Sequence, residues 1–201
     1  MIISKTPFRV SFLGGGTDFP DYYKNYPGKV IGMAIDKYCY IFFRHGNNLM
    51  DYNFRIAYSK IELTKKIDQI EHRSVKYCSK FFKHKKPFDI LHNGDLPAKS
   101  GLGSSSSFTV GLINIFRKIN KLNITKKLLA ENAIKIEQEL SKESVGSQDQ
   151  IFSAYGGFNI INFDKNKVNI ENINNENTKK IQDSMFLVFT GLTRVASQIE
   201  K

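Results

Sequence analysis

The segment Gly101-Leu-Gly-Ser-Ser-Ser-Ser107 places two glycines and four serines directly ahead of an apolar run, Phe108, Val110, Leu112, Ile113, Ile115, Phe116 and Ile119. The run reads as a buried helix, and the first turn of a helix leaves N–H groups without partners at the positive end of its dipole. Glycines let a ligand approach the backbone and serines add hydroxyls, so the segment is suited to holding an anion. The same letters also serve as a tight turn closed by a serine cap. The segment is not a Gly-x-x-x-x-Gly-Lys-Ser/Thr phosphate loop, because Gly94-x-x-x-x-Lys99-Ser100 lacks the second glycine. Nor is it a dinucleotide fingerprint, since serine stands where the last glycine belongs.

Two carboxylates follow, Glu137 and Asp149. Thr125 is a suitable N-cap for a helix over 126–140 whose inner face is Leu129, Ala133, Ile136 and Leu140. On that wheel Glu137 sits roughly 70° from the centre of the apolar face, at an edge from which it reaches a cleft. Glu139 stands about as close to the opposite edge, and spacing does not choose between them. Asp149 opens a segment that also reads as an ordinary acidic helix start.

The elements that must hold these groups alternate in type. Phe8 to Leu13 alternates as a half-buried strand and runs into Gly14-Gly15-Gly16-Thr17-Asp18, a loop open to a ligand. Val30 to Ile35 and Tyr38 to Phe43 read as a hairpin around Asp36-Lys37, and Phe54 to Tyr58 as a further strand. Ile67 to Phe82 has helical spacing and stops before Pro87. Asp89 to Leu91 leads into the glycine–serine loop, and a helix from about Val145 ends at Gly156-Gly157. Strands are expected at Phe158 to Phe163, Val168 to Ile170 and Met185 to Thr190, with 172–180 as loop and a helix beginning at Arg194.

Three segments, taken in order, carry a resemblance. Pro97-Ala-Lys-Ser-Gly-Leu-Gly-Ser-Ser-Ser-Ser107 resembles the Pro-x-x-x-Gly-Leu-Gly-Ser-Ser-Ala-Ala signature of the GHMP kinases, with Ser106 and Ser107 where alanines are usual. Thr6-Pro-Phe-Arg-Val-Ser-Phe-Leu-Gly-Gly-Gly-Thr-Asp18 resembles the first motif of that superfamily, with Gly15 and Gly16 replacing the Glu-His of galactokinases. Gly146-Ser-Gln-Asp-Gln150 is similar to its Gly-x-x-Asp-Asn/Gln segment. The resemblance implies an α+β fold, a mixed sheet with packed helices, with residues 1–183 as an N-terminal ATP-binding and catalytic domain and 184–201 as the beginning of a C-terminal one. It implies ATP and Mg2+, with Pro97, Lys99, Gly101, Leu102, Gly103, Ser104, Ser105 and Ser106 around the nucleotide and Ser105 and Glu137 as metal ligands. Asp149 becomes the catalytic aspartate, which takes or orients the hydroxyl proton, and Arg9 a second catalytic residue, which stabilises or orients near the acceptor, while Gly15, Gly16, Thr17 and Asp18 are expected against the sugar.

The triple glycine with Thr17-Asp18 is most similar to the branch acting on D-glycero-D-manno-heptose 7-phosphate. Its product is the 1,7-bisphosphate, a precursor for surface polysaccharide. A galactose- or fucose-type kinase and a non-catalytic ligand- or RNA-binding fragment of the same fold are the alternatives.

Composition sets outer bounds. With 201 residues, 41% of them hydrophobic and 24% charged, the chain has a globular make-up, which excludes a disordered or low-complexity protein. The net charge of +11 suits polyanionic partners, here a phosphosugar and ATP. The basic run Lys80 to Lys86 reads as a solvated helix end, and no aromatic–basic nucleic-acid motif accompanies it. No apolar stretch reaches the roughly 18 residues a membrane helix needs. Two cysteines and no leader-like start make a reduced, cytoplasmic protein the expectation. The sequence leaves oligomeric state open, a homodimer included.

Overall fold

The computed structural model describes residues 1–47, 49–98, 100–165, 167–188 and 191. Strand β1 (Ile2–Leu13) pairs antiparallel along β2 (Gly28–His45), the longest strand. On its other edge β2 is shared. Residues 28–33 pair with β6 (Phe158–Asp164), which pairs with β7 (Lys167–Ile173), and residues 39–45 pair with β5 (Phe88–Gly94). Beyond β5 lie β3 (Phe54–Ala57), joined to it in parallel, and antiparallel β4 (Ile61–Thr64). The result is one seven-stranded mixed sheet, and with its helices an α+β architecture as expected.

The hairpin expected around Asp36-Lys37 does not form. The chain runs straight through as β2, and the turn signal is spent on a register shift opposite Pro7 to Arg9. Such an irregularity re-aims a side chain, and the residue at its end is Arg9.

Among the described residues there are five helices of eight or more residues, α2 (Arg73–Phe81), α3 (Ser104–Ile119), α4 (Lys126–Ile134), α5 (Gln148–Tyr155) and α6 (Glu176–Asp183), besides the single turn α1 (Pro20–Tyr23). Helices α3 and α5 pack on β1 and β2, α2 flanks α3, and α4 lies against α3 and α5. The core joins Ile41, Phe43, Ile56, Phe88 and Ile90 of the sheet to Val110, Leu112, Ile113 and Phe116 of α3. A smaller cluster, including Val30, Ile151, Phe152 and Ile161, fixes α5 over the other end of β2.

Several expectations are corrected. The helix expected over Ile67 to Phe82 is a 3-10 turn, Ile67–Gln69, then a break, then α2. The buried carboxylate of Glu62 draws in the N–H groups of Glu71 and His72 at the break, competing with helical bonding. The polar stretch 172–180 contains the end of β7 and the start of α6, capped by Asn175, whose side chain accepts from Thr178 N at 3.0 Å. Residues 185–188 are not strand. The helix expected from Arg194 and most of the 184–201 segment lie outside the described residues, as does Lys99. Among the described residues no helix is long and apolar enough to cross a membrane.

Candidate active site

Arg9 sits near the end of the buried part of β1, where its backbone N donates to Leu102 O at 3.0 Å and so ties the glycine loop to the sheet. Its guanidinium donates through Nε to Asp149 Oδ1 at 2.8 Å, brings a terminal nitrogen within 2.6 Å of the same oxygen, and donates to Gly101 O at 2.6 Å. One side chain thus gathers three segments far apart in sequence. Gly103 lies over the pair with φ +75°, and a Cβ there would meet Arg9 Cγ at 3.2 Å and Asp149 Oδ2 at 3.3 Å, so the loop needs glycine for conformation and for space. Burial raises the Asp149 pKa, and the Arg9 charge opposes this.

Ser104, Ser105 and Ser106 form the first turn of α3, the end of a helix whose unpartnered N–H groups suit an anion. Ser107 is buried and donates to Pro7 O at 2.8 Å, locking the helix start onto β1. Pro97 is exposed in the approach to the loop.

Glu137 is 1% exposed. The reason is a change of helical pitch: after α4 the chain continues as a π-helical turn, Lys135–Leu140, closed by Ser141 N on Ile136 O at 2.8 Å. The wider turn rotates Glu137 into the interior and turns Leu140, expected inside, to 36% exposure, with Glu139 exposed too. Glu137 Oε2 accepts from Ser106 Oγ at 2.8 Å and from Gln150 Nε2, while Oε1 is buried and, among the described residues, has no hydrogen-bond partner. Burial pushes its carboxyl up to about 7, and the nearby Thr109 and Ser106 hydroxyls and Gln150 amide hold it from rising further.

An orphaned buried carboxylate oxygen beside a serine hydroxyl is the donor chemistry a hard cation takes, so the residues fit Mg2+. The serine that meets Glu137 is Ser106, however. Ser105, expected as the metal ligand, is exposed on the outer side of the turn.

The glycine loop after β1 borders an open cleft of about 600 Å³ lined by Arg9, residues 10–16, Gly101, Leu102 and Gln148. Gly15 and Gly16 line it. Thr17 and Asp18 are placed differently from sugar contacts. Thr17 Oγ1 donates to Gly14 O at 2.8 Å and accepts from Lys29 N at 3.1 Å. Asp18 is fully buried, and its oxygens accept from Gly16 N at 3.1 Å, Gln148 N at 3.0 Å and Gln148 Nε2 at 3.0 Å. Sequence reasoning passed over Gln148 and Gln150. The signal for Gln150 was its place in the Gly146–Gln150 motif, whereas Gln148 had none.

The fold and this site define a class. The GHMP kinases N terminal domain family matches residues 54–157, more than half of the chain, and the protein belongs to that family. Among individual proteins, it is 32% identical over its whole length to the D-glycero-alpha-D-manno-heptose 7-phosphate kinase of Campylobacter jejuni, of which it covers 62%. It is 27% identical to the galactokinase of Chloroflexus aurantiacus over 77% of the chain and 40% of that protein. A solved structure described as a D-glycero-D-manno-heptose 1-phosphate kinase from Bacteriodes thetaiotaomicron superposes with a TM-score of 0.75 at 26% identity, over 88% of this chain and 61% of that one. The chain therefore spans at most about three-fifths of the length of these relatives.

Proposed function

We propose that this chain is the nucleotide-binding and catalytic part of an ATP-dependent sugar kinase that phosphorylates the anomeric hydroxyl of D-glycero-D-manno-heptose 7-phosphate. The observation that carries the reading is the Arg9–Asp149 pair held beneath the glycine loop at the N-terminus of α3, the helix whose Ser106 bonds buried Glu137. Phosphoryl transfer needs positioning and charge neutralisation more than covalent chemistry. The free N–H groups at Ser104 to Ser106 would hold the nucleotide phosphates. Glu137 and a neighbouring serine would hold Mg2+, which when bound neutralises phosphate charge. Asp149 Oδ2, which Arg9 leaves free, would accept the proton of the attacking hydroxyl, and Arg9 would keep that carboxylate oriented.

The heptose phosphate is favoured by the relative matched over the whole chain and by the triple glycine of the cleft. The names of the two heptose relatives differ in the phosphate position, 7 and 1, so the acceptor is the point to test. We take residues 1–183 as the N-terminal domain and 184–201 as the opening of a second, and the reaction as cytoplasmic, where ATP is supplied. The test is Mg2+-dependent ADP release with ATP and, in parallel, the heptose 7-phosphate, galactose, fucose, homoserine and mevalonate. Turnover with the heptose phosphate alone, abolished in Asp149→Asn, supports the reading, and silence with every acceptor overturns it.

A further inference from the structure

Among the described residues no side-chain cation stands beside Asp18, yet it is completely buried. Its partners are donors from two separate segments. Gly16 N belongs to the cleft loop, and Gln148 N and Nε2 belong to the first residue of α5, immediately before Asp149. The main-chain oxygen of Asp18 adds a bond from Ser147 N at 3.1 Å. Ser147, at the N-cap of α5, makes no side-chain cap bond, so Asp18 supplies the cap from 130 residues away. The approach is so close that a Cβ on Gly146 would lie 1.9 Å from Asp18 Oδ2.

We infer that Asp18 is a positioning residue for Asp149, joining the sugar-side glycine loop to the start of α5 so that cleft loop and catalytic carboxylate keep one geometry, and that it does not touch the sugar. The inference rests on the kinase reading above. Both Asp18 oxygens are occupied by internal donors, and none of the carboxylate is exposed to a cleft ligand. The link is sterically short: Gln148, whose N–H is capped, is joined directly to Asp149. A carboxylate oxygen only accepts, so the Gln148 amide is held with Nε2 toward Asp18.

The experiment measures kcat and KM for ATP and for D-glycero-D-manno-heptose 7-phosphate, or for galactose or fucose should the panel select those, in the wild-type chain, Asp18→Asn, Gln148→Ala and the double variant Asp18→Asn, Gln148→Glu. Asp18→Asn is expected to lower kcat at least tenfold with the sugar KM within threefold, and Gln148→Ala to lower kcat by a smaller factor with the same pattern. In the double variant the carboxylate–amide bond is remade with its ends exchanged, and at least a third of the lost kcat is expected to return. Gln148→Ala keeps the carboxylate, and reads the link if Asp18→Asn does not fold. A sugar KM raised tenfold at unchanged kcat would make Asp18 a sugar contact and overturn the positioning role alone, as would wild-type kinetics in both single variants. If the wild-type chain phosphorylates no sugar, the kinase reading falls and this inference falls with it.

Discussion

Arg9 reaches Asp149 with two nitrogens on one oxygen, Nε at 2.8 Å and a terminal nitrogen at 2.6 Å from Oδ1, and leaves Oδ2 turned toward Gly103. The pair is half-buried, with side-chain exposures of 13% and 26%, so it is worth more to the alignment of the site than to global stability. Asp149→Asn should keep the fold and lower kcat by about 10²-fold or more, since a positioned proton acceptor contributes on that scale. Arg9→Lys keeps the charge but cannot serve Asp149 and Gly101 together, and a loss of kcat about tenfold or greater is expected. Steady-state ADP release with thermal melts of each variant checks both, and a wild-type rate in Asp149→Asn would remove Asp149 from the mechanism.

The buried Glu137 gives the chain a pH signature. Its carboxyl is pushed from 4.5 up to about 7, so within that window the folded chain keeps a proton that the unfolded chain releases, and stability falls as pH rises. A shift of this size corresponds to about 3 kcal/mol. His72 acts with the opposite sign. Burial lowers it from 6.5 to about 4, so its contribution is present above pH 6.5 and lost as pH falls. The two slopes oppose each other between pH 4.5 and 6.5, and the variant isolates the carboxylate. In urea titrations without Mg2+, Glu137→Gln should match the wild type near pH 4.5 and exceed it by about 2–3 kcal/mol at pH 8. Added Mg2+ should stabilise the wild type and leave the variant unmoved.

The cleft loop separates two glycine demands. Gly14 has φ +84°, and a Cβ there would lie 1.8 Å from Lys29 O, while a Cβ on Gly16, at φ +91°, would meet nothing among the described residues within 4 Å. Gly14→Ala must break the loop away from β2 and is expected to cost about 3 kcal/mol or more. Gly16→Ala pays only the left-handed backbone penalty, about 1 kcal/mol. Chemical denaturation of the two variants side by side tests this, and equal costs would contradict it.

Thr125 accepts from Leu128 N at 3.2 Å and starts the helix that carries Glu137. Thr125→Ala should cost about 1 kcal/mol. Because the turn bearing Glu137 is also held by Ser106 and Gln150, the expected effect on Mg2+ affinity is below twofold, measurable by calorimetric titration.

Local sequence determined what local physics governs. The Thr125 cap, the helix after Ser104, the β6–β7 pair and the glycine loops at 14–16 and 101–103 are each set by propensity, capping and positive φ within a few residues, and all were legible. The alternation of apolar residues likewise marked the strands whose inner faces form the core. Tertiary structure decided the rest, because the deciding energies come from partners distant in the chain. Asp36-Lys37 stays in a strand because β1 and β5 pair across it and beyond it. Glu137 rather than Glu139 is inside because a π-helical turn rotates the wheel that even spacing assumes, and Ser106 and Gln150 offset part of the cost of burying it. Asp18, by its letters a loop acid free to meet a ligand, is enclosed because three donors from Gly16 and Gln148 replace the water it would otherwise bind. A sequence lists donors and acceptors, but which of them desolvate one another is settled only when the chain brings them within 3 Å.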